Sequence, residues 1–296
     1  MTGLTDSPSS LVLRPEPGRV EAWSQRRLPF EPTGDMRDFR SALRLAVSSL
    51  VARDEEQLHA TYSSKMDGAV DVENVLIYNV GPAAFARSSH SGLLIERRFA
   101  LHDAGTAAGS HHYAYEVSAR PRGSWKESRP MAALGPATIP VPGHAIAPLW
   151  LALRRGPATA LPSGTPGDHL GLEIEIAAPS LRAINLAALV KVLVDAVMST
   201  FSRFEIALTD PTLRLLADRL GVPGAALAEL LRSNPAAVLG DRVLLHRRGL
   251  GYQWNPDDGK LVHIALRRVR HLEPPTGWTL SARLLAMAVP DVRDAE

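Results

Sequence analysis

Six side chains have the types and spacing that metal-assisted chemistry needs: Asp71, Glu73, Asp195, Asp257, Asp258 and Lys191. In Asp71-Val72-Glu73-Asn74, two acidic residues stand two apart, which on extended backbone points both to one side. So placed, they can share one Mg2+, a hard ion that prefers oxygen ligands and accepts one or two carboxylates from a protein. Asn74 beside them would orient a substrate or a water. The same four residues also read simply as a charged lead-in to a strand. Lys191 and Asp195 stand one helical turn apart. As a plain i,i+4 pair they would contribute about 0.3 kcal/mol; facing a cleft, Asp195 would serve as a metal ligand and Lys191 as a phosphate contact. Asp257 and Asp258 lie in NPDDGK, whose Asn, Asp and Gly favour turn backbone. A basic group completes the set: Arg242, Arg247, Arg248, Arg267, Arg268 and Arg270, on strands expected to pair with one another. It would neutralise several phosphates, or equally guard sheet edges.

These residues need elements to hold them. The segment 180–201 carries Leu186, Leu189, Val190, Leu193, Val197 and Phe201 at spacings of three and four, so it should form a largely buried central helix capped by Ser180. Phe39, Leu43, Ala46, Val47 and Leu50 predict another helix over 35–52. Residues 75–80, 92–99 and 111–119 read as strands, with His111 and His112 on opposite sides. Leu170, Leu172, Ile174 and Ile176 alternate with Gly171, Glu173 and Glu175 as a half-buried strand. Asp210-Pro211 and Gly221 bound a helix, and Pro223 starts a second. Ala217, Gly221, Val222, Leu227 and Leu230 fit the core of a helix-turn-helix, but Pro223, Gly224, Ala225, Ala226 and Ala228 offer nothing for base reading, which favours a structural hairpin. Strands at 241–249, 251–254 and 261–270 follow, the last two joined by NPDDGK, and 279–288 reads as a closing helix.

The run Asn185 to Val197, with Lys191 and Asp195, resembles the helix of RusA-like Holliday-junction resolvases, whose motif is Asp-x-Asp-Asn-Leu-x-Lys-x-x-x-Asp-Ala-Leu. The resemblance covers residues 168–269, and Asp257-Asp258 resembles that family's later acidic pair. It implies an α/β fold, a homodimer, Mg2+ and cleavage of branched DNA. The motif's first two carboxylates fall on Asn185 and Ala187 and its asparagine on Ala188; Asp71, Glu73 and Asn74 supply that missing pattern elsewhere in the chain.

The chain of 296 residues is 45% hydrophobic and 22% charged, a globular composition with room for one large or two ordinary cores. It has no cysteine, which excludes disulfides and thiolate metal sites and suits a cytoplasmic, bacterial-type protein. No membrane span is expected. Only Lys65, Lys126, Lys191 and Lys260 are lysines among 33 basic residues, yet the net charge is +2, so charge alone does not establish nucleic-acid binding. No P-loop, G-x-S-x-G, dinucleotide fingerprint or HExxH is present. Nine prolines fall in 121–169, where a continuous core element is expected only near 148–155.

The expected architecture is α/β or α+β, mixed sheets packed with helices in two halves joined by the Pro-rich segment. Its parts are an extended arm at 1–34 anchored at Trp23, a half at 35–120, the linker or excursion at 121–167, and a half at 168–296 with a helical hairpin at 210–233. The expected function is nucleic-acid binding, with Mg2+ on Asp71, Glu73 and Asp195, catalysis by these with Asp257 and Asp258, and cleavage weakened or lost. The alternative is a non-enzymatic subunit or adaptor that docks onto a partner protein.

Overall fold

The computed structural model of the chain describes residues 11–64, 70–99, 110–121, 123–143, 145–161, 167–179, 183–240, 243–270 and 275–289. Among the described residues, ten strands form one mixed sheet. These are β1 (Val12–Glu16), β2 (Arg19–Ser24), β3 (Gln57–Ser64), β4 (Gly92–Arg98), β5 (His111–Ser118), β6 (Lys126–Ile139), β7 (Ala158–Ala160), β8 (Leu170–Ala177), β11 (Leu261–Arg268) and β12 (Trp278–Ala288). Their order is β1-β2-β5-β3-β4-β11-β8-β12-β6-β7. β3 runs parallel to β4, and β8 to β11; the other neighbours are antiparallel. The fold is therefore α/β with a mixed sheet, as the sequence predicts.

The halves meet in the middle of this sheet, where Leu93 and Ile95 of β4 lie opposite Leu266 and Ile264 of β11. Helices α1 (Asp35–Ser48), α2 (Ile146–Arg155) and α3 (Leu186–Phe201) contribute to one apolar core with the sheet: Leu43 and Val47, Leu149 and Leu153, and Leu193 and Val197 all join Leu58, Ile95, Leu172 and Ile264. A second, smaller core gathers under α4 (Pro211–Leu220), α5 (Gly224–Arg232) and a separate hairpin of β9 (Leu245–Arg248) and β10 (Gly251–Trp254). Leu213, Leu216, Leu227, Leu231, Leu244 and Trp254 fill it, and Trp150 of α2 enters from the main body.

Several expectations need correction. Residues 75–80 do not extend: Asn74–Tyr78 is a π-helical turn. Val75, Leu76 and Ile77 are all buried, and a short run apolar on every side carries no period that separates strand from buried helix. The 279–288 segment is β12, a central strand with Leu280, Ala282 and Leu284 in the main core and Leu285 and Met287 in a small cluster with Trp125 and Val262. Leu280, Ala282 and Leu284 alternate with more exposed neighbours, but the run Leu284 to Met287 is buried on both faces and breaks that alternation. The Pro-rich stretch supplies β6, 14 residues long, which pairs with β12 through three irregularities in register. Irregular pairing accommodates Pro130 and Pro136 there. In the N-terminal arm, β1 and β2 pair, and β2 joins β5; Trp23 is buried. NPDDGK is not a hairpin between paired strands: Asp258–Lys260 forms a 3-10 turn, and the strands before and after it belong to different sheets.

Candidate metal centre

Three segments distant in sequence bring acidic side chains together. The first is the lead-in to the π-helical turn, where Asp71 O accepts from the amides of Asn74 and Val75. Three bonds pin this turn: the Tyr115 hydroxyl donates to Leu76 O (2.8 Å), Arg44 Nε to Val80 O (2.8 Å) and Asn79 Nδ2 to Leu28 O (2.8 Å). Glu73 thereby sits fully buried, on helical rather than extended backbone. The second segment is α3. Its start is fixed by Asn185, whose side chain accepts from the Ala188 amide and the Ser89 hydroxyl and donates to Pro82 O. The N-cap is thus Asn185, a residue type well suited to it; Ser180 lies outside the described residues. The third is the 3-10 turn just ahead of β11, which holds Asp258.

Lys191 stands at the centre of this convergence. Its Nζ lies 2.8 Å from Asp195 Oδ1, 3.0 Å from Asp258 Oδ2 and 3.1 Å from Glu73 Oε1. Oxygens of the three carboxylates fall within 4.8 Å of one another, a spacing that can hold a metal ion. Glu73 Oε2 is buried with no hydrogen-bond partner. One ammonium therefore faces three carboxylates, and the electrostatics follow. Burial raises Glu73 to about 7, opposed by Lys191 and assisted by Asp258, Asp71 and Asp195. Asp195 rises to about 6, through burial partly offset by Lys191, and burial likewise raises Asp258. For Lys191, burial works against the charge, but Glu73, Asp195 and Asp258 outweigh it and hold the ammonium well above its ordinary range. The centre has an appetite for further positive charge, which protons or a cation can meet.

Of the residues singled out by sequence, Glu73, Asp195, Asp258 and Lys191 converge. Asp71 is half-buried and turns to Asn74, whose Nδ2 donates to it at 3.1 Å. It acts on Glu73 and Asp195 through its charge but falls outside the carboxylate triad, because the helical backbone at Glu73 breaks the two-residue alternation. Asp257 points to Lys260 at 3.7 Å instead. Asn185, at the first acidic position of the resolvase-like motif, caps a helix.

The arginines do not form one patch. Arg247 and Arg248 are exposed on β9 in the separate hairpin. Arg267, Arg268 and Arg270 lie at the far end of β11 from Asp258, roughly 23 Å away at 3.3 Å per residue; Arg270 pairs with Asp54 at 3.2 Å. Arg268 and Arg270 line an open groove of about 590 Å³ with Arg87 and His90. Arg242 lies outside the described residues.

The sequence reading missed a second polar network. Buried Glu96 accepts from His59 Nε2 (3.0 Å), from His263 Nδ1 (3.1 Å) and from the Ser124 amide. Burial opposes its charge, but these donors prevail and hold it well below the usual carboxylate range. The clue was present in QLHATYSS, where His59, Thr61 and Ser63 alternate with Leu58, Ala60 and Tyr62. His111 and His112 do face opposite sides, one to Tyr62 at 2.7 Å and the other to Glu21 at 3.3 Å.

No protein-family model, curated protein or solved structure matches the chain. No helix among the described residues is long and apolar enough to cross a membrane.

Proposed function

We propose that the protein binds nucleic acid and carries a Mg2+ centre, as a diverged relative of Mg2+-dependent structure-specific endonucleases with weakened or lost cleavage. The observation that supports this is the convergence of Glu73, Asp195 and Asp258, three buried carboxylates of which one ammonium satisfies only part. A hard divalent ion suits an all-oxygen set of this size. Glu73, Asp195 and Asp258 would hold it, with Asp71 adding negative potential. Such an ion neutralises phosphate charge and makes bound water more acidic. Lys191, 29% exposed at its side chain, would swing toward a phosphate once an ion takes its place. The groove at Arg87, Arg268 and Arg270 supplies further contacts for the backbone.

Titration calorimetry with Mg2+ and Mn2+ tests the centre, with Asp195→Asn as the variant. Saturable binding lost in the variant supports the reading, and no heat with either ion removes it. For the nucleic-acid half, binding of branched and linear duplex should weaken steeply with salt, and a flat response would remove phosphate contacts from the account.

A second reading has its own observation. Lys191 touches all three carboxylates, so the cluster can act as a purely structural tie in a non-enzymatic adaptor that docks on a protein partner. Calorimetric silence toward divalent ions, together with a stable wild-type fold, selects this reading.

A further inference from the structure

The opposite face of the sheet carries a different kind of site. His59, Thr61 and Ser63 alternate with the core residues Leu58, Ala60 and Tyr62, so they point away from α1 and α3 and from the acidic centre. They line a concave cavity of about 410 Å³ together with Arg19, Glu21, His112, Glu116, Arg98 and Arg120, a volume in the range of small-molecule sites. We propose that this cavity binds the phosphate ester of a polyol, of sugar-phosphate to mononucleotide size.

Four observations carry the assignment. First, Ser63 is fully buried and its hydroxyl has no hydrogen-bond partner. A buried polar group left unpaired costs about 1–3 kcal/mol, so a hydroxyl kept in that state at a cavity wall is suited to a ligand oxygen. Second, Arg19, Arg98 and Arg120 bring three guanidiniums to one cavity; guanidinium matches phosphate with two parallel donors. Third, the wall also offers acceptors. Glu21 accepts a bond from Arg19 (2.8 Å) and lies 3.3 Å from His112 Nε2, and Glu116 lies opposite Arg19 across the strands. Carboxylates beside guanidiniums suit a ligand that pairs a phosphate with hydroxyl donors, and do not suit a bare polyanion. Fourth, the wall is held rigidly. His59 Nε2 lies 3.0 Å from the Glu96 carboxylate and 3.2 Å from the Thr61 hydroxyl, and His112 stacks on Trp23 with ring centres 4.7 Å apart and planes at 19°. Prepaid ordering of this kind lowers the cost of binding.

Calorimetry with ribose 5-phosphate and AMP, with ribose as the phosphate-free control, tests the site on the full chain. The buffer contains EDTA, so that no ion in the acidic centre can capture the phosphate. The expected result is a Kd below about 1 mM for one of the two esters and none measurable for ribose. Arg120→Ala, at an exposed position, should weaken binding about tenfold, and Ser63→Ala, which adds no bulk, about fivefold. Absence of binding by both esters, equal binding of ribose, or binding unchanged in both variants would overturn the proposal. Binding that appears only when EDTA is replaced by Mg2+ would also overturn it, by moving the ligand to the acidic centre.

Discussion

At the scale of single residues, Lys191 balances charge for the acidic centre. Lys191→Met removes the cation from among three buried carboxylates and should cost about 3 kcal/mol, the low end for breaking a buried ion pair because the side chain keeps some solvent contact. Divalent ion or acid should restore part of the loss in denaturant melts. The wild-type protein should show a matching pH dependence. Glu73 and Asp195 hold protons more tightly when folded than when unfolded, so in EDTA their contribution to stability is greatest at low pH and declines as pH climbs from about 4 to about 7. Lys191, raised, stays charged across this window in both states and leaves the slope alone. Glu96 has the opposite sign: its contribution is present above its ordinary value and is lost on acidification below it. Melting temperatures measured in EDTA should therefore fall between pH 5 and pH 8, and Mn2+ should raise them more at pH 8. The residue types behind this were legible in the sequence. Glu73, Asp195, Asp258 and Lys191 stand out as acids and a base near helix or turn signals. Their partition was not legible: choosing Asp258 over Asp71 depends on helical backbone at Glu73, in a segment pinned by contacts with Tyr115, Arg44 and Leu28.

At the scale of elements, periodicity succeeded where one period runs the length of the element. α1, β8 and the α4–α5 hairpin lie close to where the pattern placed them, down to the Asp210 cap on the Thr212 amide (2.7 Å) and the left-handed Gly221 at φ 62°. Leu231 rather than Leu230 is the fully buried position in α5, a slip of one residue. Periodicity fails at Val75 to Ile77, three consecutive buried residues, and on β12, where the continuously buried run Leu284 to Met287 interrupts the alternation begun by Leu280 and Ala282. Trp150 links the small α4–α5 core to the body, its ring tilted at 47° against Trp254 with centres 5.3 Å apart. Trp150→Ala should cost about 3–5 kcal/mol and, because the loss falls at this joint, hydrogen exchange should speed first in α4, α5 and the β9–β10 hairpin. Uniform loss of protection across the sheet would show that the joint is not where the energy resides.

At the scale of the whole molecule, the sheet interleaves the two ends of the chain. β4 and β11 are neighbours, so fragments 1–120 and 168–296 would each expose an apolar strand edge, and such edges invite aggregation. Neither fragment should give a soluble, cooperatively melting species alone; a cooperative monomer from either would contradict a single shared core. The Lys191 contacts span 118 and 67 residues of sequence to Glu73 and Asp258, so the unfolded chain has no preformed nest for an ion. Whatever occupies that place acts on the folded state alone and, at a hundredfold excess over its Kd, adds about 2.7 kcal/mol. Occupancy and resistance to digestion by a protease would then rise together, one quantity seen from two sides.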